Sequence, residues 1–210
     1  MLDRVGNRLR SLVDERARSA CRQWIRRGTE SGLQCWLVVI PDDRLQPAIL
    51  TSKHLELEPL RVDHAEEMVW ALDDVQLHNF IGGQPASVEE LRGRYAKQVV
   101  GHSPDGTQRW LNWVARRYLD GTAVGYVQAT VSQEQGHAVA DVAWVIGAAY
   151  QRRGYAREAA QRMVEWLREI GVDTIVANIH PDHHASNAVA RRVGLTPTSE
   201  LVDGEIRWHG

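Results

Sequence analysis

The chain has 210 residues, of which 43% are hydrophobic and 25% are charged. This composition can bury a core in one domain, with or without an extension. Its net charge of −2 gives no reason to expect nucleic acid or a membrane surface as a partner. We expect no transmembrane helix and no secretory leader. The two cysteines lack metal-ligand spacing, so we expect a cytoplasmic protein without a metal.

Residues 1–50 are predicted to form an N-terminal extension. Apolar side chains recur at steps of three and four over residues 2–25, which predicts an amphipathic helix with an arginine-rich outer face. A short apolar run at residues 35–40 is a strand candidate. The extension either packs against the rest of the chain or supports a homodimer.

Residues 51–210 are predicted to form the main domain, which opens with a strand and two helices. Residues 54–60 alternate as a strand does. A helix follows with Asp63 as its N-cap and ends at about Leu77, and the sequence Ser87-Val-Glu-Glu90 predicts the capping box of a second helix. A loop over residues 76–85 separates the two helices.

An antiparallel meander and a helical segment fill the rest of the domain. Three strands separated by glycine-containing turns form the meander. A helix, a strand and a second helix follow, and Asp203-Gly204 predicts the turn of a final hairpin. The predicted strands are Gln108–Tyr118, Ala123–Val131, Val139–Ile146 and Thr174–Ile179, and the predicted helices are Tyr155–Ile170 and Ala185–Val193.

The segment Gln151–Ala156 carries the clearest chemical signal. It lies where a predicted strand turns into a predicted helix. The first N–H groups of a helix are unpaired and carry the positive end of its dipole, so they bind phosphate well. Arg152 and Arg153 add positive charge, and Gly154 allows close backbone approach. These features predict a site for a phosphate-bearing cofactor.

This segment resembles the Gln/Arg-x-x-Gly-x-Gly/Ala signature of the GNAT acetyltransferases. A second segment, residues 180–195, is similar to the family pattern Asn-x-x-Ser/Ala followed by Tyr or Ala and then Gly-Phe. His183 stands where Asn is common, Ser186 matches the small residue, and Ala190 stands where many members have Tyr. The resemblance covers residues 52–210 and is nearest to the branch of ribosomal-protein N-terminal and small-molecule acetyltransferases.

The resemblance implies an α/β (α+β) fold. Its mixed, mostly antiparallel sheet of about seven strands is flanked by helices, with an added N-terminal helix. Acetyl-CoA would lie in a split between the fourth and fifth strands, counted from residues 54–60, and would be the co-substrate. The implied coenzyme contacts are Trp144, Val145, Ile146, Gln151, Arg152, Arg153, Gly154, Tyr155, Ala156, His183 and Ser186.

The catalytic groups are less sharply defined by the resemblance. Asp141 is our candidate for the general base, since a carboxylate beside an apolar cleft has a raised pKa. In other branches the acid lies one residue earlier, where this chain has Ala140. The backbone N–H of Val145 is the expected oxyanion donor, and Ser186 is the candidate acid. The expected substrate contacts are His78, Asn79, Trp110 and Trp113.

The leading hypothesis is an acetyl-CoA-dependent N-acetyltransferase that modifies a primary amine of a small molecule. Two alternatives within this class are an aminoglycoside acetyltransferase, which would confer antibiotic resistance, and a protein N-terminal acetyltransferase. An alternative from another class is a non-catalytic acyl-CoA-binding regulatory module. The absent tyrosine at Ala190 and the ambiguous base keep that alternative open.

Overall fold

The computed structural model describes residue 40 and residues 44–210. The predicted N-terminal helix, residues 35–39 of the strand candidate over residues 35–40, Cys21 and Cys35 lie outside the described residues. None of the described helices is both long and apolar enough to cross a bilayer. The strands are β1 (Leu50–Thr51), β2 (Leu55–Pro59), β3 (Gln108–Arg117), β4 (Ala123–Glu134), β5 (His137–Ile146), β6 (Thr174–Ile179), β7 (Thr196–Val202) and β8 (Glu205–His209). The helices are α1 (Ala65–Ala71), α2 (His78–Ile81), α3 (Val88–Gln98), α4 (Tyr155–Glu169) and α5 (His184–Arg192).

The eight described strands form one mixed sheet in the order β1-β2-β3-β4-β5-β6-β8-β7. Neighbouring strands are antiparallel except for β5 and β6, which are parallel and joined through α4. The expected meander and α/β fold class are thereby confirmed. The β7–β8 turn has Asp203 at φ 52° and Gly204 at φ 85°, the two positive φ angles of the tight hairpin turn expected there.

One face of the sheet carries the main core, and we call it the core face. Alternate side chains from β3, β4, β5, β6 and β8 point to it, and α4 and α5 pack against it. Side chains alternate between the two faces along a strand, and the apolar ones of these strands fall on this face. Its central members are Leu111, Trp113, Ala129, Val131, Ala140, Val142, Ile175, Ala177 and Trp208.

The opposite face is apolar at one end and polar along the middle. Helices α1 and α3 cover its apolar end through Met68, Leu91 and Val114. The middle carries half-buried polar side chains that the strand register places on the same face. We call this set the polar strip, and it consists of Asn112, Gln128, Thr130, Asp141, Asn178 and Arg207.

The first helix differs from its prediction at both ends. Its entry is a 3-10 turn over Val62–His64, in which the His64 Nδ1 accepts from the Arg61 N–H at 3.1 Å. Asp63 is therefore not the N-cap; its carboxylate accepts from Arg61 Nε at 3.1 Å. The helix ends at Ala71 rather than Leu77, and a separate 3-10 turn spans Val75–Leu77. The predicted Ser87–Glu90 capping box of α3 is confirmed.

Arg116 fastens α1 to the sheet through two acidic partners. Its guanidinium donates to Glu58 of β2 at 3.0 Å and to Glu67 of α1 at 2.5 Å. Glu66 of α1 pairs with Arg92 of α3 at 2.6 Å. These acidic side chains of α1 therefore serve the packing of the helices.

Trp113 provides a test of the core. It has no exposed surface, and its indole N–H donates to the Ala48 carbonyl at 2.8 Å. Trp113→Ala should lower the free energy of unfolding by about 3–5 kcal/mol, because it leaves a cavity and an unpaired carbonyl. Urea unfolding measures the change. The matched control is Trp70→Ala, since Trp70 is 78% exposed and its loss should cost no more than about 0.5 kcal/mol. Equal losses in both variants would contradict this account of the core.

Candidate functional site

The site begins where two parallel strands stop pairing. The β5–β6 ladder joins only Val139–Asp141 of β5 to Thr174–Val176 of β6. Beyond it, β5 continues to Ile146 and β6 to Ile179 without pairing to each other. An opening therefore lies between the two strands, and Asp141 stands at its apex. This is the split expected between the fourth and fifth strands counted from β2.

The backbone of β5 presents different residues to its two neighbours. At one end the Gly147 N–H donates to Val124 at 2.9 Å, and at the other the Ala138 carbonyl accepts from Asp173 N–H at 3.0 Å. The register between β4 and β5 has no shift, so odd-numbered residues bond to β4 and even-numbered residues face β6. The N–H of Val145 thus faces β4. The N–H groups of Trp144 and Ile146 face the split.

A tightly packed turn follows β5. A side chain at Gly147 would place its Cβ 2.1 Å from the carbonyl oxygen of Ala71, so only glycine lets the end of α1 approach so closely. A 3-10 turn over Ala148–Tyr150 comes next. The Gln151 side chain then donates from Nε2 to the Ile146 carbonyl at 3.0 Å. The Gln151 side chain therefore ties the end of the turn to the end of β5.

The turn opens into α4 with two residues in the left-handed region. Arg152 has φ 58° and Gly154 has φ 84°, a backbone path that gathers consecutive N–H groups into an anion-binding concavity. The first N–H groups of α4, those of Tyr155 and Ala156, have no partner within the helix. The side chains of Arg152 and Arg153 are exposed beside them. This arrangement suits a diphosphate.

The position of α4 depends on an acid that the sequence patterns did not single out. Glu158, in the first turn of α4, accepts from Ser52 Oγ at 2.7 Å and from His54 N–H and Nδ1 at 2.6 and 2.9 Å. Burial alone would raise the pKa of Glu158, but these hydrogen bonds outweigh it and lower the pKa. The Glu158 carboxylate thus holds the start of α4 against the β1–β2 turn. Only a structure could reveal it, because its partners lie about a hundred residues away.

Asp141 belongs to the polar strip, which lies on the face of the sheet opposite α4. Asn178 of β6 donates from Nδ2 to Asp141 Oδ2 at 3.1 Å. Burial raises the pKa of Asp141 to about 6, while Arg207 and the hydrogen bond from Asn178 act in the lowering direction. Ala140, the alternative position, is fully buried on the core face. Asp141 can therefore exchange a proton near neutral pH, and Ala140 cannot replace it.

His183 is the N-cap of α5. Its Nδ1 accepts from the Ser186 N–H at 3.1 Å, and its Nε2 lies 3.4 Å from Ser186 Oγ. Burial lowers the pKa of His183, which favours the neutral ring. Because Nδ1 accepts a hydrogen bond, the proton of the neutral ring lies on Nε2. The Phe80 ring of α2 lies 4.1 Å from the His183 ring, centroid to centroid. The contact joins α2, which lies in the segment expected to be a loop over residues 76–85, to the start of α5.

The expected substrate contacts fall in three different environments. His78 Nδ1 lies 3.0 Å from the Gly82 carbonyl, and its Nε2 is buried without a partner among the described residues. Trp110 is half-buried and lines a cavity of about 220 Å³ with Gln98, His102 and Asn112. Trp113 lies in the core, so it is not available to a substrate. Asn79 belongs to α2, and its side chain lies outside the described part of the structure.

Comparison with known families finds a match that covers most of the described chain. Residues 54–196 match the family model described as the acetyltransferase (GNAT) domain. A 56-residue segment is 34% identical to an uncharacterised N-acetyltransferase, YnaD, of Bacillus subtilis strain 168. That segment is 26% of this chain and 33% of the relative, so the match spans a third of that relative's length.

Solved structures with the same fold are similar over three quarters of the chain. The RimL ribosomal L7/L12 α-N-protein acetyltransferase, solved with coenzyme A, superposes with a TM-score of 0.64 at 20% identity, covering 78% of this chain and 97% of that one. A protein from Vibrio cholerae, described as a putative ribosomal-protein-serine acetyltransferase, gives a TM-score of 0.60 at 20% identity, with coverages of 79% and 98%.

The raised pKa of Asp141 predicts a pH-dependent stability. Between pH 3.8, the ordinary value for Asp, and about 6, the folded state keeps a proton that the unfolded chain has lost. Asp141 therefore favours the fold at low pH, and this contribution is lost as the pH rises through about 6. Asp141→Asn should raise the free energy of unfolding at pH 8 relative to wild type, and by less at pH 4. Urea unfolding at both pH values measures the difference.

Asp105 supplies the opposite control. Hydrogen bonds from Ser103 and Thr107 lower the pKa of Asp105 to about 2. Its contribution is present above pH 3.8 and is lost as the pH falls towards 2. Asp105→Asn should therefore destabilise the fold at pH 8. If Asp141→Asn also destabilised the protein more at pH 8 than at pH 4, the burial argument would be wrong.

Proposed function

This chain belongs to the GNAT acetyltransferase family, and on that premise we propose that it transfers the acetyl group of acetyl-CoA to a primary amine of a small molecule. One observation carries the proposal. A carboxyl group with a raised pKa, Asp141, stands at the apex of the split between β5 and β6. Such a group can accept the proton of an alkylammonium ion and release the neutral amine that the reaction needs.

The donor side of the proposed site is the start of α4. The backbone N–H groups around Gly154, together with Arg152 and Arg153, would hold the diphosphate of the coenzyme. The N–H groups of Trp144 and Ile146, which face the split, would bind along the pantetheine arm. When bound, acetyl-CoA supplies an activated thioester carbonyl. We assign the oxyanion donor to the N–H of Trp144, since that of Val145 faces β4.

The acceptor side is the polar strip, because it lies on the face opposite α4. An amine that approaches from this face meets Asp141 first, which takes its proton. Ser186 is the proposed proton donor to the leaving sulfur. His183 places its Nε2 close to Ser186 Oγ, so the hydroxyl proton is available to a second partner. This pair would take the role of the tyrosine that many family members have at the position of Ala190.

The choice of a small amine rests on the pairing of three acidic residues, two in α1 and one in the turn after it. Glu66 and Glu67 form ion pairs with Arg92 and Arg116, and Asp74 caps the turn at Gln76. These acids are therefore not a free negative surface for a polycationic aminoglycoside. Asp141 at the split suits a single ammonium group.

A protein N-terminus is a second candidate acceptor, favoured by the composition of the polar strip. The amide side chains of Asn112, Gln128 and Asn178 lie along it, and amides hydrogen-bond well to a peptide backbone. RimL, which shares the fold, is described as acting on ribosomal protein L7/L12.

Thiol release with a panel of amines separates the candidates: n-butylamine, spermidine, kanamycin, amino acids and a peptide that begins with serine. Turnover of n-butylamine or an amino acid, but not of the peptide, supports the small-molecule proposal.

Asp141→Asn tests the base. We expect kcat/KM for the best acceptor of the panel to fall by about 10²- to 10⁴-fold at pH 7.5, because the variant cannot accept the proton. In wild type, kcat/KM should rise with pH and reach half its plateau near the pKa of Asp141, about 6. Steady-state kinetics from pH 5 to 9 measures both, and isothermal titration calorimetry measures coenzyme A binding, which should not change.

Glu165→Gln is the matched control for Asp141→Asn. Glu165 is an exposed acid of α4, on the other side of the sheet from the polar strip, and its loss should change kcat/KM by less than tenfold. Full activity of Asp141→Asn would contradict the assignment of the base. Coenzyme A binding without thiol release from any amine would favour the regulatory alternative.

The phosphate contacts make a separate prediction. The double variant Arg152→Ala/Arg153→Ala should raise the KM for acetyl-CoA by roughly tenfold or more, because charge-assisted contacts to the diphosphate are lost. The effect should shrink at high ionic strength. Arg168→Ala, at the exposed far end of α4, is the control and should leave this KM unchanged. An unchanged KM in the double variant would remove the arginines from the site.

A further inference from the structure

Asn178 is the polar residue that crosses the split at its apex. It lies on β6 two positions beyond Val176, the last residue of β6 that pairs with β5. Its side chain nevertheless reaches β5, because Nδ2 donates to Asp141 Oδ2 at 3.1 Å. This side-chain hydrogen bond therefore joins the two strands where their backbone ladder has ended.

The orientation of the Asn178 amide follows from this contact. With the amide reversed, its carbonyl oxygen would face an oxygen of Asp141 at 3.1 Å, and two acceptors repel each other at that distance. The donor nitrogen must therefore face Asp141 when that group is ionised. The carbonyl oxygen, Oδ1, then points away from Asp141.

Asn178 Oδ1 has no hydrogen-bond partner among the described residues, although it is buried. A buried carbonyl oxygen left unpaired is costly, and native proteins pair such groups in nearly all cases. The missing partner must be a hydrogen-bond donor. A primary amine that has given one proton to Asp141 still carries N–H groups that can donate to Oδ1.

We propose that Asn178 positions the Asp141 carboxylate and binds the acceptor nitrogen through Oδ1. This deepens the proposed function and rests on it. The ammonium group loses one proton to an oxygen of Asp141, which frees the lone pair of the nitrogen. A remaining N–H donates to Asn178 Oδ1 and aims the lone pair into the split. The new C–N bond forms as the C–S bond breaks, and the departing sulfur takes its proton from Ser186 Oγ. The second nitrogen proton replaces that proton by way of solvent, and Asp141 returns its own proton to water.

Several charged groups act on Asp141 beside Asn178. Arg207 and Glu205 approach from β8, and Glu134 approaches from β4. Burial raises the pKa of Asp141 most, Arg207 lowers it, the two glutamates raise it, and the Asn178 hydrogen bond lowers it. Removing the Asn178 donor while leaving these charges in place should therefore raise the pKa of Asp141.

Two variants separate the two roles of Asn178. Asn178→Leu removes the donor and the orphan oxygen, whereas Asn178→Asp removes the donor but keeps an oxygen at the same place. The matched control for the titration of Asp141 is Asn112→Leu, because Asn112 lies on β3, two strands away from β5. Thermal unfolding by circular dichroism identifies variants that are not folded, and Asn178→Ser replaces the leucine variant if that one fails to fold.

The first measurement is the carboxyl titration of Asp141 in the free protein. Carbon-13 NMR of aspartate-labelled protein follows it, with Asp141→Asn to assign the signal. We expect the midpoint to rise by about one pH unit in Asn178→Leu and further in Asn178→Asp, where a second carboxylate opposes ionisation. Asn112→Leu should leave it unchanged. An unchanged midpoint in both Asn178 variants would overturn the positioning role.

The second measurement uses the amine with the highest wild-type kcat/KM in the panel above. We expect the acceptor KM to rise about tenfold in Asn178→Leu and by clearly less in Asn178→Asp, which keeps an oxygen for the amine. The acid limb of the pH profile should move upward in both. Equal KM values in Asn178→Leu and wild type would overturn the binding role. Should no amine turn over, the proposed function fails, while the NMR titration still decides whether Asn178 positions Asp141.

Discussion

The short ladder between β5 and β6 is the constraint on which the site depends. Three residues of each strand pair, and then the strands continue apart. A strand of a parallel sheet normally bonds on both sides, so even-numbered backbone groups beyond Asp141 are left to face an opening. An extended molecule with alternating donors and acceptors can satisfy them. The place where the ladder stops thus determines where an extended molecule can lie between β5 and β6. It also determines that Asp141 is the side chain at the apex of the opening.

Long-range contacts hold the edges of that opening in place. Glu158 fixes the start of α4 to the β1–β2 turn, and Gly147 lets the end of α1 press against the loop after β5. Arg116 in turn fastens α1 to β2. The loop between β5 and α4 is therefore supported from two sides by segments distant in sequence. Such support keeps backbone N–H groups in place without a bound anion, which lowers the cost of binding one.

Local patterns predicted the parts of this protein that depend on near neighbours. The Ser87–Glu90 capping box, the Asp203-Gly204 turn and the glycine-containing start of α4 are all decided within a few residues, and all are present. Asp63 failed as an N-cap because Arg61 and His64 form a tighter turn first. The expected length of α1 failed because a continuous apolar pattern does not reveal where one helix gives way to another.

Features decided by the sheet were harder to read. The choice between Trp144 and Val145 as oxyanion donor depends on which neighbour each N–H faces, and a sequence alone does not show the register. Trp113 could not be assigned to a face, since the direction of the core was unknown. Asn178 was missed, although it is the one uncharged amide within the apolar run of β6. A polar side chain in such a strand is a usable signal, but its partner, Asp141, is 37 positions away.

The alternation of side chains along the strands also separates substitutions that change the polar strip from substitutions that change the core face. A substitution at position 112, 128 or 130 alters the polar strip and leaves the packing of α4 on the core face untouched, because neighbouring positions point in opposite directions. On the proposed function, the acceptor and the acetyl donor are therefore bound from opposite faces of the sheet. A substitution in the polar strip can then change acceptor selectivity while α4 stays packed as before.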